Sequence, residues 1–357
     1  MISFELTEEQ YVAQSMFAAI AAQSVAPRAA QHDLDSAVST DVLQLVHEQG
    51  LLLAALEDRA ADSQVGLQSC LLLEELGKAD TSVAVLVGAA LGYIGAVSTL
   101  GDADQREAMV ARYSGGRLRG GSILVQEPGF VRNLRSITTR AERSNEGFLL
   151  NGAKAFVPQA EGWDDLLVVA RTDDRFGAFL VDRNTAGVDA IPTAPMLGLR
   201  GLSMTTLTFT DVVLPASARL PGAVDRVISG ARIANGAILT GLAAAVFEHI
   251  TPYTKERVVH GSALARKQSV AFRLAQMAIH IPSMRWLTWR GAVAIDKERD
   301  AGREATYVRR FCGRNAFAIA DEGVQLMGGH GYMKENPVER WYRDARTLAL
   351  LEGVTGI

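Results

Sequence analysis

The stretch GGHGYMKENPVERWYRDARTLALLEG, residues 328–353, collects glycines, arginines and carboxylates in one short run. A glycine-rich turn leads into a segment carrying Arg340, Arg343 and Arg346. An apolar run, Leu348 to Leu351, then delivers a single carboxylate, Glu352, against Gly353. The carbonyl end of a helix is partially negative and favours Lys or Arg. Glu352 is therefore badly placed as a structural residue and stands out as a candidate for a chemical task.

Such a group needs a scaffold, and the texture of the sequence describes one in three parts. From about residue 5 to 118 the apolar spacing is helical, as in SCLLLEELGKAD, which reads as an amphipathic helix stopped by Gly77. Between about 119 and 220 the texture changes to some nine short alternating runs and turn residues. Asn151-Gly152 reads there as a hairpin turn, and Asp173-Asp174 as a polar turn. After Pro221 long helical stretches return and predict a bundle. The expected fold class is α+β: an N-terminal all-α domain over 1–118, a middle antiparallel β-domain over 119–221, and a C-terminal four-helix-bundle-like domain over 222–357.

Composition narrows the classes of function. With 357 residues, 48% of them hydrophobic and 21% charged, the chain can bury a sizeable core. A net charge of -4 and a pI near 5.9 give no global attraction for nucleic acid or an anionic membrane surface, so no nucleic-acid partner is expected. Cys70 and Cys312 lack C-x-x-C spacing, which argues against a disulfide framework or a zinc site and fits a reducing cytoplasm. The opening MISFELTEEQ lacks the basic and apolar regions of a signal peptide. The uncharged stretch from Thr81 to Gly101 is long enough to cross a bilayer, but its Gly and Ser content and acidic flanks favour a helix buried in a helical domain. No membrane span is expected.

Three strings resemble the acyl-CoA dehydrogenase family, over nearly the whole chain. VQLMGGHGYMKENPVERWYRDARTLALLEG is similar to the family's Q-x-x-GG-x-GY, P-V-E-R, RDA and EG signature in order and spacing. YTKERVVHGSALARKQSVAFRLAQM is similar to its Y-x-x-x-R-x-x-F-G helix pair, with His260 where Phe is usual. EPGFVRNLRSITTRAERSNEGFLLNGAKAFV is similar to its T-E-P-x-A-G-S-D and NG-x-K-x-W-I-T strings.

The resemblance implies FAD-dependent α,β-dehydrogenation of an acyl thioester, carried by CoA or acyl carrier protein, with electron-transfer flavoprotein or a similar acceptor and a tetrameric assembly. Glu352 matches the family's catalytic base. Presentation from an apolar segment would raise its pKa toward working pH and strengthen it as a base. The position used for the base in some members is Ala231 here. Arg232 matches an arginine beside the acyl site. Arg257, Gln268, Gln325, Gly328 and Gly329 match residues that grip the adenosine diphosphate half of a neighbouring subunit's FAD.

The flavin end departs from the family. Gln126 stands where Thr precedes Glu-Pro, and Phe130, Val131, Arg132 and Asn133 replace A-G-S-D. Phe156, Val157 and Pro158 replace W-I-T, and Val354 and Gly356 replace two polar residues after the base. Proline has no N–H, so a backbone donor expected at the flavin is missing. Gln126 and Phe156 remain the cofactor-facing candidates, and Arg132 is a candidate for a phosphopantetheine phosphate or a substrate carboxylate. Two alternatives stay open: a flavin-poor partner subunit of a heteromeric dehydrogenase, and a flavin monooxygenase on the same fold.

Overall fold

The computed structural model describes residues 5–50, 52, 64–115, 119–129, 136–173, 175–351 and 355–356. The N-terminal part is helical: α1 (Glu8–Ile20), α2 (Ala29–Asp35), α3 (Thr40–Glu48), α4 (Val65–Ala79), α5 (Thr81–Leu100) and α6 (Ala103–Tyr113). Helix α1 starts with a capping box, in which Gln10 N–H donates to Thr7 Oγ1 and Thr7 N–H to Gln10 Oε1. The uncharged α5 is the central core helix, capped by Asp80, whose carboxylate accepts from Ser82 N–H and Val83 N–H. Helix α5 and the later helix α7 (Val224–Glu256) are both long and apolar enough to cross a membrane. Their most apolar windows are 89% and 83% buried inside the molecule.

Gly77 does not stop its helix: α4 continues to Ala79. A Cβ at Gly77 would sit 2.5 Å from the Ile238 carbonyl oxygen, and one at Gly241 would sit 1.9 Å from that of Glu74. The glycine is there because α4 and α7 cross backbone to backbone, which no local pattern announces. The buried carboxylate of Glu74 meets Arg285 of α8 (Gln268–Asp296) at 2.6 Å. Asp296, at the far end of α8, accepts from the N–H groups of Gly66 and Leu67 at the start of α4.

Residues 120–215 form one seven-stranded sheet among the described residues: β1 (Gly120–Leu124), β2 (Arg140–Ser144), β3 (Gly147–Gln159), β4 (Trp163–Arg171), β5 (Phe176–Asp182), β6 (Val188–Pro192) and β7 (Ser203–Pro215). The order is β1-β4-β2-β3-β7-β6, with β5 also on β4. The sheet is mixed rather than purely antiparallel, because β4 runs parallel to β1 and, at Arg171, to β2. Asn151-Gly152 lies inside β3 as an irregularity against β7, not at a hairpin turn; Asn151 exchanges hydrogen bonds with Asp211, and the turn falls at Asn145-Glu146. Asp174 lies outside the described residues.

The C-terminal part contains α7, a hairpin of β8 (Val258–Val259) and β9 (Ser262–Ala263), then α8, α9 (Gly302–Met327) and α10 (Val338–Leu348). His260 and Gly261 both have positive φ, 51° and 75°, at the tip of that hairpin. His is among the residues that tolerate this region, so the unusual His260 fits its turn. Arg343 explains part of the arginine-laden segment: its guanidinium grips both oxygens of Asp33 on α2 at 2.8 and 2.9 Å and also meets Glu339. The neighbouring Asp344 is buried, accepts from Leu199 N–H at 2.6 Å and is pushed up to about 7 by burial. These contacts fix the helix that leads to Glu352.

Candidate active site

A cavity of about 90 Å³ lies between α5, the start of α7, the turn joining α8 to α9, and Gly356. Its apolar wall includes Gly92, Gly95 and Ala96 of α5 and Ile295 of α8. Asp225, Arg226, Glu298 and Asp300 bring charge to it. Gly356 is held on α5 by donating its N–H to the Gly88 carbonyl at 2.8 Å, and a Cβ at Gly92 would sit 2.6 Å from Gly356. Thr355 is fully buried, with its hydroxyl 2.5 Å from Asn235 Oδ1 and 3.3 Å from the Ala231 carbonyl on α7. Leu351 is buried as well. Glu352 itself, with Val354, lies outside the described residues. Ala231 is buried, and Arg232 is half-buried on α7, one turn past the cavity-lining Ser229 but not in the lining.

A second, open pocket of about 600 Å³ is lined by Arg257, Gln325, Gly328 and Gly329 together, with Tyr253 and His330 beside them. The end of α7 and the end of α9 bring these residues together from positions about seventy apart in the chain. Gly328 has φ +57°, and a Cβ on either Gly328 or Gly329 would meet nothing within 4 Å. No neighbour within the described residues requires a bare Cα at Gly329. Together with the exposed Arg257 guanidinium this fits the anionic part of a dinucleotide. Gln268 is exposed at the first turn of α8 and is not part of the lining. Tyr253, whose hydroxyl reaches the Met327 carbonyl at 3.4 Å, had a sequence signal in the Y-x-x-x-R string.

The third group sits on the β-domain and lines neither pocket. Gln126 is 8% exposed, and its Oε1 has no hydrogen-bond partner among the described residues. Its backbone carbonyl accepts from Ala155 N–H at 2.9 Å. The next residue, Phe156, is half-buried with φ +58°, where the β3–β7 register shifts between Lys154 and Val157. A bulky residue with positive φ is a real outlier, of the kind that clusters at functional sites. An orphaned buried acceptor beside it fits a ligand with an N–H to offer. Pro158 is buried in β3 opposite Met204. Arg132 lies outside the described residues. Among the described residues no group of His, Cys, Asp or Glu is placed to hold a metal ion, and Cys70 and Cys312 are buried free thiols.

Helical domain, mixed sheet and helical bundle, with an open arginine-lined pocket, define an α+β scaffold of three parts. The comparisons make it particular: the acyl-CoA dehydrogenase N-terminal domain matches residues 7–117, the middle domain 122–212 and the C-terminal domain 222–357. The chain belongs to the acyl-CoA dehydrogenase family, FAD-dependent oxidoreductases acting on CH–CH donors. It is 29% identical to the short-chain specific acyl-CoA dehydrogenase, mitochondrial, of Homo sapiens, over 99% of this chain and 89% of that one. It is also 29% identical to the cyclohex-1-ene-1-carbonyl-CoA dehydrogenase of Geobacter metallireducens, over 99% and 96% of the two chains. The solved butyryl-CoA dehydrogenase of Megasphaera elsdenii superposes with a TM-score of 0.89 at 25% identity, covering 99% of this chain and 96% of that one.

Proposed function

We propose that this chain dehydrogenates an acyl thioester, carried by CoA or acyl carrier protein, and that Glu352 takes the α-proton. The observation that supports this reading best is the seating of the segment around Glu352. Leu351 and Thr355 are buried, and Gly356 lines the cavity between α5 and α7. A carboxylate delivered into apolar surroundings binds its proton more tightly and becomes a stronger base near working pH. The α-proton goes to Glu352, the β-hydrogen leaves with its electron pair, and a C=C bond forms between the two carbons. FAD, when bound, supplies the acceptor for that hydride. Arg232, one turn past the cavity wall, and Arg132 are assigned to the thioester and its carrier.

The chain is read as three domains, 1–118, 119–221 and 222–357, in a cytoplasmic tetramer. Arg257, Gln268, Gln325, Gly328 and Gly329 hold the adenosine diphosphate half of a neighbour's FAD, Gln126 and Phe156 face the ring, and an electron-transfer flavoprotein takes the electrons. Glu352→Gln keeps the shape and removes the basicity. Anaerobic mixing with an acyl-CoA should then bleach the flavin slower by about 10²–10⁴-fold, the usual worth of a positioned base, while ligand binding survives. Reduction at the wild-type rate would refute the assignment.

One observation favours a second reading, a helper subunit that holds only its neighbour's FAD: Pro158 offers no N–H, whereas Arg257, Gln325, Gly328 and Gly329 line one pocket together. A helper is colourless when purified alone and raises flavin retention in a co-expressed dehydrogenase chain. The preferred reading requires a yellow protein with about one FAD per chain, in keeping with one ring site per subunit.

A further inference from the structure

The β-domain contains a buried ion pair that no step of the proposed reaction uses. Lys154 is 0% exposed, and its ammonium donates to the Val125 carbonyl and to Glu127 Oε1, both at 3.1 Å. Glu127 also accepts from the N–H and hydroxyl of Thr138, both at 2.7 Å, and from those of Thr139 at 2.8 and 2.5 Å. One carboxylate thus fastens the exit of β1, the approach to β2 and the middle of β3. Burial alone would raise Glu127, yet the Thr139 hydrogen bond, the Lys154 charge and the backbone N–H groups of Thr138 and Thr139 hold it down to about 2. Burial pushes Lys154 down to about 8 against the pull of Glu127.

Stability alone is a poor reason for such a pair, since an apolar replacement of both partners is often neutral. What the pair grips is more telling. Val125 and Glu127 are both held, and between them stands Gln126, buried, with its Oε1 unpartnered among the described residues. On the other side of Lys154, two residues on, Phe156 is held at φ +58°. An unpaired buried acceptor costs about 1–3 kcal/mol, and a sparsely populated backbone angle costs about 1–3 kcal/mol. The chain keeps both unfavourable features on residues that flank its most elaborate polar clamp.

We propose that Lys154 and Glu127 are positioning residues that hold the Gln126 carboxamide for an N–H of the bound flavin ring. This rests on the FAD-binding reading above. The clamp holds the backbone on both sides of Gln126, and the Ala155 hydrogen bond ties it to the strained turn of β3.

The test uses full-length apoprotein, titrated with FAD by flavin fluorescence, with thermal melting of the apoprotein in parallel. Gln126→Leu removes the orphaned acceptor, so the apoprotein should melt no lower than wild type while FAD binds about fivefold to tenfold more weakly, one hydrogen bond's worth. Lys154→Met should weaken FAD by about tenfold or more, a lost charged contact, and shift the flavin absorption envelope. The uncharged pair Glu127→Gln with Lys154→Met should recover the melting temperature but not the affinity. Wild-type affinity in Gln126→Leu, or recovery of both properties in the double variant, would overturn the proposal. A wild-type protein that takes up no FAD overturns the underlying reading, and this inference with it.

Discussion

Around Gly328 and Gly329 the chain leaves its surface bare, with nothing within 4 Å of a would-be side chain, whereas around Gln126 the chain itself already engages almost every polar group. The first region leaves room beside an exposed Arg257. The second is organised before anything arrives, by Glu127, Lys154 and two threonines. A substitution in the open region should therefore register in binding alone. Loss of one clamp charge in the packed region, Glu127 or Lys154, should register in folding and binding together.

The largest expected effect comes from the open end. Arg257→Ala should weaken FAD by about 1.5–3 kcal/mol, the scale of a charge-assisted hydrogen bond, with the melting temperature of the apoprotein unchanged. Calorimetric titration beside a thermal scan checks both halves. A fall in apoprotein stability would mean that Arg257 serves the fold and that the two regions differ less than described.

A smaller effect is expected at Gly329→Val. Its Cβ meets nothing in the chain, so the apoprotein should fold as before while FAD loses about 1–2 kcal/mol through crowding, within the range of overpacking costs. Undiminished FAD binding would show that the clearance serves no ligand. A last effect, read in stability rather than in binding, tests the packed end. Glu127 is lowered from 4.5 to about 2, so its contribution to stability is present above pH 4.5 and is lost as pH falls toward 2. Wild type should exceed Glu127→Gln in urea midpoint at neutral pH, and the gap should close across that window. A gap that stays constant in acid would detach the carboxylate charge from the clamp.

The three-part order is legible in the sequence because helical periodicity is a local property and the C-terminal stretches are long. The pocket of Arg257 and Gln325 is legible as two strings in the right order, although neither string states that these two residues meet while Gln268 stays on the surface. Other features depend on distant partners. The parallel pairing of β1 with β4 joins strands some forty residues apart, and alternation within a strand says nothing of its neighbour's direction. Asn151-Gly152 carries the composition of a tight turn, yet the β3 ladder continues through it because Asp211 satisfies Asn151 from β7. The Glu127–Lys154 clamp spans 27 residues, and each member alone is an ordinary charged residue in an alternating run.

The contact of Gly77 with Ile238 and of Gly241 with Glu74 sets the spacing of α4 and α7 by main-chain atoms alone. Side chains elsewhere in the core can exchange volume by changing rotamer, but a peptide carbonyl has no rotamer to change. The crossing therefore behaves as a fixed gauge block: the floor of the cavity where α5 and α7 converge on Thr355 and Gly356 inherits a separation set by main-chain atoms. A change in the shape of that cavity must come instead from the side chains around it, such as Ile295 and Ala96, with the crossing left untouched.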